Sequence, residues 1–584
     1  MKFIPVLVIL LISILSSQPK MFEQPLSERI ANYTINAGFN PSEKTIKATE
    51  QLEWKNISSD YIASMYFHLY LNGLKHAKTT FLQNSPEAAE QLEGGWGACD
   101  IKRITLRDGT DITDYIRFIH PDDSNLSDST VIAVDLPDPI KPHGEITLNI
   151  EFEVTIPKLA ERCGYYGDFF HISQWFPKVG VYENGEWVCH QYHSMGEFYA
   201  DYGVYDVTIT APSIYTLGST GILIDRKESG DKTTYRFYCE DVHDFAWSAD
   251  TDFVEVLDEF EGTKIRLLHQ TGHEGISTRL INAIKTTLDY YGDNYGKYPW
   301  PQVTCIDSPI YPAVMEYPNL FVTGNYQTNG GNADPGLVSE KDKFMEMLTI
   351  HEFGHNWWMG LVGNNETEEM WLDESLNSYA TLKAFEHVYG ETMLERDTLS
   401  NVTLRGFERS SYVRFPEGVI TKKAWEFDNG TEFFVMCYPK GMFLFLTLEN
   451  YYGEEQFGKV MKTFYERWRF KHPTTEDLLD VIYEILGRKF EPFITQYLNT
   501  SHTLDYAVEK RDPNKATIKK EGELIFPVSV AIELDNGKTE TRYWDGNGHE
   551  FNIEFNQKIK SINIDPDYII EFELKKDNNK WNNE

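Results

Sequence analysis

Cysteine is scarce in this chain. Six occur in 584 residues, Cys99, Cys163, Cys189, Cys239, Cys305 and Cys437, and none forms a C-x-x-C pair. That spacing excludes a disulfide-framework miniprotein and a four-cysteine structural zinc site. An even number of thiols still permits disulfides, and the spacing leaves their pairing open. Positive charge is also short. Lys and Arg total 54 against 90 Asp and Glu, a net charge of −36. Such a surface is set against nucleic acid and anionic membranes as partners. It favours cationic ligands, and it equally serves solubility. Apolar runs of eighteen residues are missing after the N-terminus, so no further membrane-spanning helix is expected. Repeats and low-complexity linkers are missing too.

The one apolar run is Phe3 to Leu15, behind Lys2. Its length and flanks read as a signal peptide over residues 1–17, with export to the periplasm or extracellular space. Ser16-Ser17-Gln18 offers no small-x-small cleavage site, so an uncleaved anchor is the alternative. No Cys follows the run, which argues against a lipoprotein.

A chain of this length exceeds one core and should divide into roughly three domains. Residues 18–252 alternate as strands do, for example Thr147 to Val154 and Tyr205 to Thr210, with turn pairs at Asp108-Gly109 and Asn184-Gly185. Residues 253–504 are α-rich. Helices are expected over Ser277–Tyr291, Asp342–Met359 with Gly360 as the stop, and from Thr475 with Thr474 or Thr475 as its cap. Residues 505–584 return to strands, with a hairpin of Leu524–Leu534 and Thr539–Tyr543 around Asp535-Asn536-Gly537, and a frayed polar tail from Lys575. The fold class expected is multidomain α+β.

The chemistry concentrates at His351-Glu352-Phe353-Gly354-His355, followed after eighteen residues by Glu374. Positions i and i+4 share a helix face, so His351 and His355 can present two imidazoles to one metal. Glu374 would come from a following helix. Three protein ligands leave a fourth position open for water, which marks a catalytic rather than a structural zinc site. Glu352 stands next to the pair, placed to act as general base. A bare H-E-x-x-H arises by chance in roughly a few per cent of chains with this many histidines. The added Glu374 and the apolar flanks, Phe344 to Ile350 and Asn356 to Met359, lower that figure. The reaction implied is amide hydrolysis with one Zn²⁺ per chain.

The H-E-x-x-H-x18-E spacing resembles the gluzincin aminopeptidases, the family of aminopeptidase N and leukotriene hydrolase. A second family signature, a G-x-M-E-N loop on an edge strand, corresponds to Ala313-Val314-Met315-Glu316-Tyr317, which keeps the Met315-Glu316 core. The resemblance implies that Glu316 binds the substrate's free α-amino group, the contact that makes an exopeptidase. Tyr317 stands where the family has Asn. It also implies an oxyanion-stabilising tyrosine in the window that holds Tyr438, followed by Lys440-Gly441 and an apolar helix. A further family position, a Gln or Glu some ten residues before the Phe of Phe176-Pro177, has Asp168 as the nearest acidic residue and Gln174 as the other candidate.

The fold implied is an N-terminal β saddle, a thermolysin-like zinc domain and a small C-terminal β-sandwich. No counterpart of the helical cap domain of aminopeptidase N is expected within these residues. Partners implied are peptides with a free N-terminus. A zinc endopeptidase, an epoxide hydrolase of the same fold, and a catalytically inactive binding protein are the alternatives. His190 and His193 lack a third ligand at metal spacing and read as structural. Asp373 has no assignable role, and Glu366, Glu368 and Glu369 read as a solvated turn.

Overall fold

The computed structural model describes residues 19–310, 314–324, 343–390, 393–394 and 402–582. The expected leader, Ala313 and Asp342 lie outside the described residues. Among the described residues no helix is long and apolar enough to cross a membrane.

Alternation builds the first part of the molecule. A seven-stranded sheet runs in the order Ile222–Ser229, Lys232–Val242, Gly203–Pro212, Ala31–Asn40, Thr45–Lys55, Glu145–Thr155, Ala98–Leu106. Its pairs are antiparallel except the central one, where Ala31–Asn40 lies parallel to Gly203–Pro212. Tyr33, Ile35, Ala37 and Phe39 point inward with Ile46, Leu52 and Trp54, as a two-residue period requires. Two four-stranded sheets, one built on Ile62–His68 and Val131–Ile140, the other on Phe169–Ile172 and Trp247–Asp250, and a two-stranded one of Val181–Glu183 with Glu186–Val188 complete this part.

A mixed sheet follows, ordered Phe253–Phe260, Thr263–Gln270, Gln302–Ser308, Leu320–Gly324. Its last three strands are parallel. The helix Glu274–Asn294 makes the crossover and buries Ile276, Leu280, Ile284 and Leu288 along one stripe. Beyond Leu320–Gly324 the edge is extended by Met315, which exchanges main-chain hydrogen bonds with Val322 (3.3 and 2.7 Å). Against the crossover helix packs the metal helix, Phe344–Gly354, fixed near its start by a bidentate ion pair of Arg279 with buried Glu346 (2.9 and 2.7 Å). A second helix, Trp371–Tyr389, is buried along its first twelve residues. The helix Gly441–Tyr452 lies against it and is buried from Gly441 to Glu449.

Two antiparallel sheets end the chain, Asp505–Asp512 with Lys515–Glu521 and Glu550–Glu554, and Thr539–Trp544 with Val528–Leu534, Ile559–Ile564 and Lys580–Asn582. Ring contacts of Trp544 with Tyr506 (5.4 Å) and Phe551 (5.8 Å) join them. Arg409 and Tyr412 donate to the carbonyls of Glu571 (2.7 Å) and Phe572 (3.1 Å) and fasten these sheets to the helical part.

The expected helices and hairpin form, with longer bounds for the first helix and Thr474 as the cap of Thr475–Leu486, its hydroxyl reciprocated by Asp477. Two expectations are corrected. The metal helix stops at Gly354, with His355 as its C-cap, rather than running to Met359. Residues 356–358 continue as tight turns, and Met359 takes a positive φ of 133° that no helix tolerates. The tail is not frayed through Asn582, because Lys580–Asn582 pairs with Ile559–Ile564 as an edge strand.

All six cysteines are free and buried. Burial pushes the Cys163 thiol up to about 12, and burial raises Cys239, Cys305 and Cys437 as well. Native protein should therefore give no reaction with an aromatic disulfide reagent, and six thiols should titrate after denaturation without reductant. A count of four or fewer would reveal a disulfide.

Candidate metal centre and active site

His351 and His355 leave the last turn of the metal helix on one face, and Glu374 reaches them from the first turn of the second helix. The distances are His351 Nε2 to His355 Nε2 3.2 Å, His351 Nε2 to Glu374 Oε2 3.3 Å and His355 Nε2 to Glu374 Oε2 3.2 Å. Zinc held tetrahedrally at about 2.0–2.1 Å by nitrogen and oxygen sets its ligand atoms about 3.3–3.4 Å apart. The triangle has that edge. Glu374 Oε2 is buried and closes the triangle with the two imidazole nitrogens. The three residues fit zinc.

The surroundings fix each ligand. His355 Nδ1 lies 3.0 Å from the Trp358 carbonyl, which commits that nitrogen to a proton and leaves Nε2 with its lone pair. Asp373 stands behind it, Oδ2 at 3.7 Å from the same nitrogen, and accepts from Asn364 at 3.0 Å. Asn377 of the second helix donates to the His351 carbonyl (2.7 Å) and accepts from Tyr291 of the crossover helix (3.1 Å). The contact needs a glycine. A Cβ on Gly354 would sit 2.3 Å from Asn377 Oδ1 and 2.7 Å from the Tyr291 hydroxyl.

Charge is the dominant feature. Glu316, Glu352, Glu366, Asp373 and Glu374 are all at most 7% exposed. Burial and the Glu316 charge push Glu352 well above the usual carboxylate range. Burial and the Glu374 charge push Asp373 up to about 8. Burial works against an ionised Glu374, but the imidazolium charges of His355 and His351 overcome it and hold its carboxyl low. So much buried negative charge around two imidazoles calls for a cation.

A cleft of about 250 Å³ opens on this centre, and Glu352, Glu316, Met315 and Tyr438 line it with the three ligands. Glu316 is brought there by the edge segment that pairs with Leu320–Gly324, and Asn319 N–H donates to Asn356 Oδ1 (2.9 Å), tying that segment to the turn that follows the metal helix. Tyr438 lies in a π-turn, Met436–Lys440, that leads into the helix Gly441–Tyr452. Its hydroxyl donates to Glu374 Oε1 and its ring stacks on His351 at 5.8 Å.

The structure does not bring Asp168 to the cleft. It is exposed at the tip of the hairpin joining Gly164–Tyr166 to Phe169–Ile172. Gln174 is also elsewhere, hydrogen-bonded to Asp244 and to buried Lys178 (2.8 Å). The acidic residue of that region in the cleft is Glu161, with Arg162 and Glu197 beside it as an ion pair. The count from Phe176-Pro177 missed Glu161 because a hairpin and a turn intervene. Tyr317, which replaces the family Asn, is 1% exposed, with its ring 5.4 Å from His171. It belongs to the core, not to the cleft wall. The acidic run is not a solvated turn either. Glu366 is buried and accepts from Phe198 N–H (3.4 Å), Glu368 pairs with Lys423 (2.6 Å), and Glu369 accepts from Thr475 N–H (2.7 Å). His190 and His193 both clasp Asp122, at 2.6 and 2.9 Å.

Residues 280–497 match the model of the peptidase family M1 domain. Those residues resemble an M1 peptidase domain. Over 244 residues it is 27% identical to aminopeptidase M1-B of Oryza sativa subsp. japonica, covering 41% of this chain and 27% of that one. Over 328 residues it is 22% identical to probable aminopeptidase 1 of Sulfurisphaera tokodaii, covering 54% and 40%. The matched regions thus span between about a quarter and two-fifths of these curated relatives' length. Among solved structures, an M1 zinc metallopeptidase mutant from Deinococcus radiodurans superimposes with a TM-score of 0.57 at 13% identity, over 81% of this chain and 96% of that one. Legionella pneumophila aminopeptidase A, in complex with aspartic acid, gives 0.65 at 12% identity, over 94% and 59%. The M1 peptidase fold therefore extends well beyond residues 280–497.

Two outcomes follow for the M1 domain. Zinc and protons compete for His355, which burial disfavours as a cation but Glu374 and Glu316 hold protonated well above its usual range. Zinc affinity should therefore rise with pH through neutrality, with proton release on binding seen as a buffer-dependent heat in calorimetry. Gly354→Ala should destabilise the protein by about 1–3 kcal/mol in denaturant unfolding and weaken zinc retention, because the two helices that carry the ligands must separate.

Proposed function

We propose that this chain is a zinc aminopeptidase that removes residues from the N-terminus of peptides. The observation that carries this reading is the second set of carboxylates in the cleft. Glu316 and Glu161 face the same 250 Å³ space as the ligand triangle, and an α-ammonium group offers donors to both. His351, His355 and Glu374 hold the ion. Zinc, when bound there, supplies a Lewis acid that polarises the scissile carbonyl and acidifies water.

The protein's own groups do the rest. Glu316 and Glu161 fix the substrate amine, so the first peptide bond alone reaches the reacting position. Glu352 takes the proton of the attacking water and delivers it to the leaving nitrogen as the C–N bond breaks. Tyr438 donates its hydroxyl hydrogen to the carbonyl oxygen as negative charge builds. Burial of Glu352 on the cleft wall limits its hydration. The place of action proposed with this chemistry is periplasmic or extracellular, on the strength of the apolar run from Phe3 to Leu15.

Purified protein should hydrolyse aminoacyl arylamides, lose that activity to a zinc chelator and regain it with added zinc. N-acetylated substrates should not be cleaved, and equal cleavage of blocked and free substrates would establish an endopeptidase instead. Glu352→Gln should keep zinc and lower kcat by about 10²–10⁴-fold. Glu316→Gln should raise KM about tenfold or more with zinc content unchanged, as expected for loss of about 1.4 kcal/mol or more of amine binding.

A further inference from the structure

A second cavity, about 550 Å³, lies in the seam between the N-terminal sheets and the helical part. It is larger than the catalytic cleft, and none of the groups assigned above accounts for it. Trp425 and Phe427 on one side and His193 and Met195 on the other give it an aromatic and thioether wall. That wall is built rather than incidental. The Trp425 ring packs on His190 (4.8 Å) and His193 (5.0 Å), with the Lys423 ammonium 5.4 Å from its centre. Both histidines are held from behind by buried Asp122, and His190 Nε2 lies 3.2 Å from Glu368. The indole is thus fixed by a polar network that crosses the seam.

The groove and the cleft are lined by residues close to one another along the chain. Met195 lines the groove, and Glu197, two residues on, lines the cleft. On the opposite side, Phe427 contacts Phe433 at 5.4 Å and Phe433 contacts Tyr438 at 6.3 Å. Two ring-to-ring steps therefore lead from the groove to the tyrosine at the metal centre. Laid end to end, the two ring contacts put Phe427 at most about 12 Å from Tyr438, a distance that three to four extended residues at about 3.3 Å each cover. The groove also has a charge. Glu87 and Asp428 line it, no Lys or Arg does, and neither acid is in an ion pair among the described residues.

We infer that this groove binds the downstream residues of a peptide substrate, from about the fourth residue onward, and that it favours aliphatic or basic residues over acidic ones there. The inference rests on the aminopeptidase reading and names its substrate class: peptides of five or more residues rather than dipeptides.

Binding to the zinc-loaded Glu352→Gln protein tests it without turnover. Calorimetry with free-amine alanine peptides should show Kd falling at least about fivefold from tripeptide to hexapeptide. Trp425→Ala in that background should remove the gradient, with zinc content and thermal midpoint reporting that the fold is kept. Replacing Glu87 and Asp428 together by Lys should reverse the preference between hexapeptides ending in Lys-Lys and in Glu-Glu. A Kd independent of length, or a gradient that survives Trp425→Ala, overturns the inference. Failure of the parent reading shows separately, as arylamides left intact by the zinc-loaded wild type.

Discussion

Five carboxylates buried around two imidazoles set the terms for this molecule. Removed from water, they repel one another and carry a desolvation cost that protonation or a bound cation offsets. The fold keeps them together through a set of side-chain contacts between helices and sheet edge. Asn377 joins the His351 carbonyl to the Tyr291 hydroxyl, Trp358 and Asp373 back His355, and Asn319 ties the Glu316 segment to Asn356. Three helices and a sheet edge are thereby locked to one point, where a bound divalent ion would restore the charge balance.

What the sequence made legible was what rigid local geometry determines. His351, His355 and Glu374 lie within consecutive helices, so fixed spacing translates into fixed position. Glu316 followed from its Met-Glu neighbour on an edge segment, and Tyr438 from its distance and the apolar helix after it. Alternation revealed the strands at Thr147–Val154 and Tyr205–Thr210 for the same reason. Residues on irregular segments escaped. Glu161, Arg162 and Glu197 enter the cleft from loops of the N-terminal part, where residue count along the chain says little about distance in space. Asp168 looked right by type and stands at an exposed hairpin tip. Glu366 and Glu369 looked solvated by pattern, yet each caps main-chain N–H groups inside the structure. The early end of the metal helix has a similar origin, since the strained backbone at Met359 has no signature in a run of apolar residues.

The N-terminal sheets serve the chemistry as much as the helices do. Glu161 and Glu197 reach one side of the cleft from them, and the clasp of His190 and His193 on Asp122 positions Trp425 of the other part. Substrate would be gripped between two units that each own part of its binding surface. Loss of packing at the seam would loosen amine recognition without touching a metal ligand.

The glycine at position 354 sets a tolerance. A single hydrogen atom is the spacer between the metal helix and Asn377, so the ligand triangle has almost no room to widen or shrink. Calcium, with bonds of about 2.3–2.6 Å and an appetite for six to eight oxygens, would have to spread two helices that are already at closest approach. The centre selects its ion by the stiffness of its frame as well as by the identity of its donors.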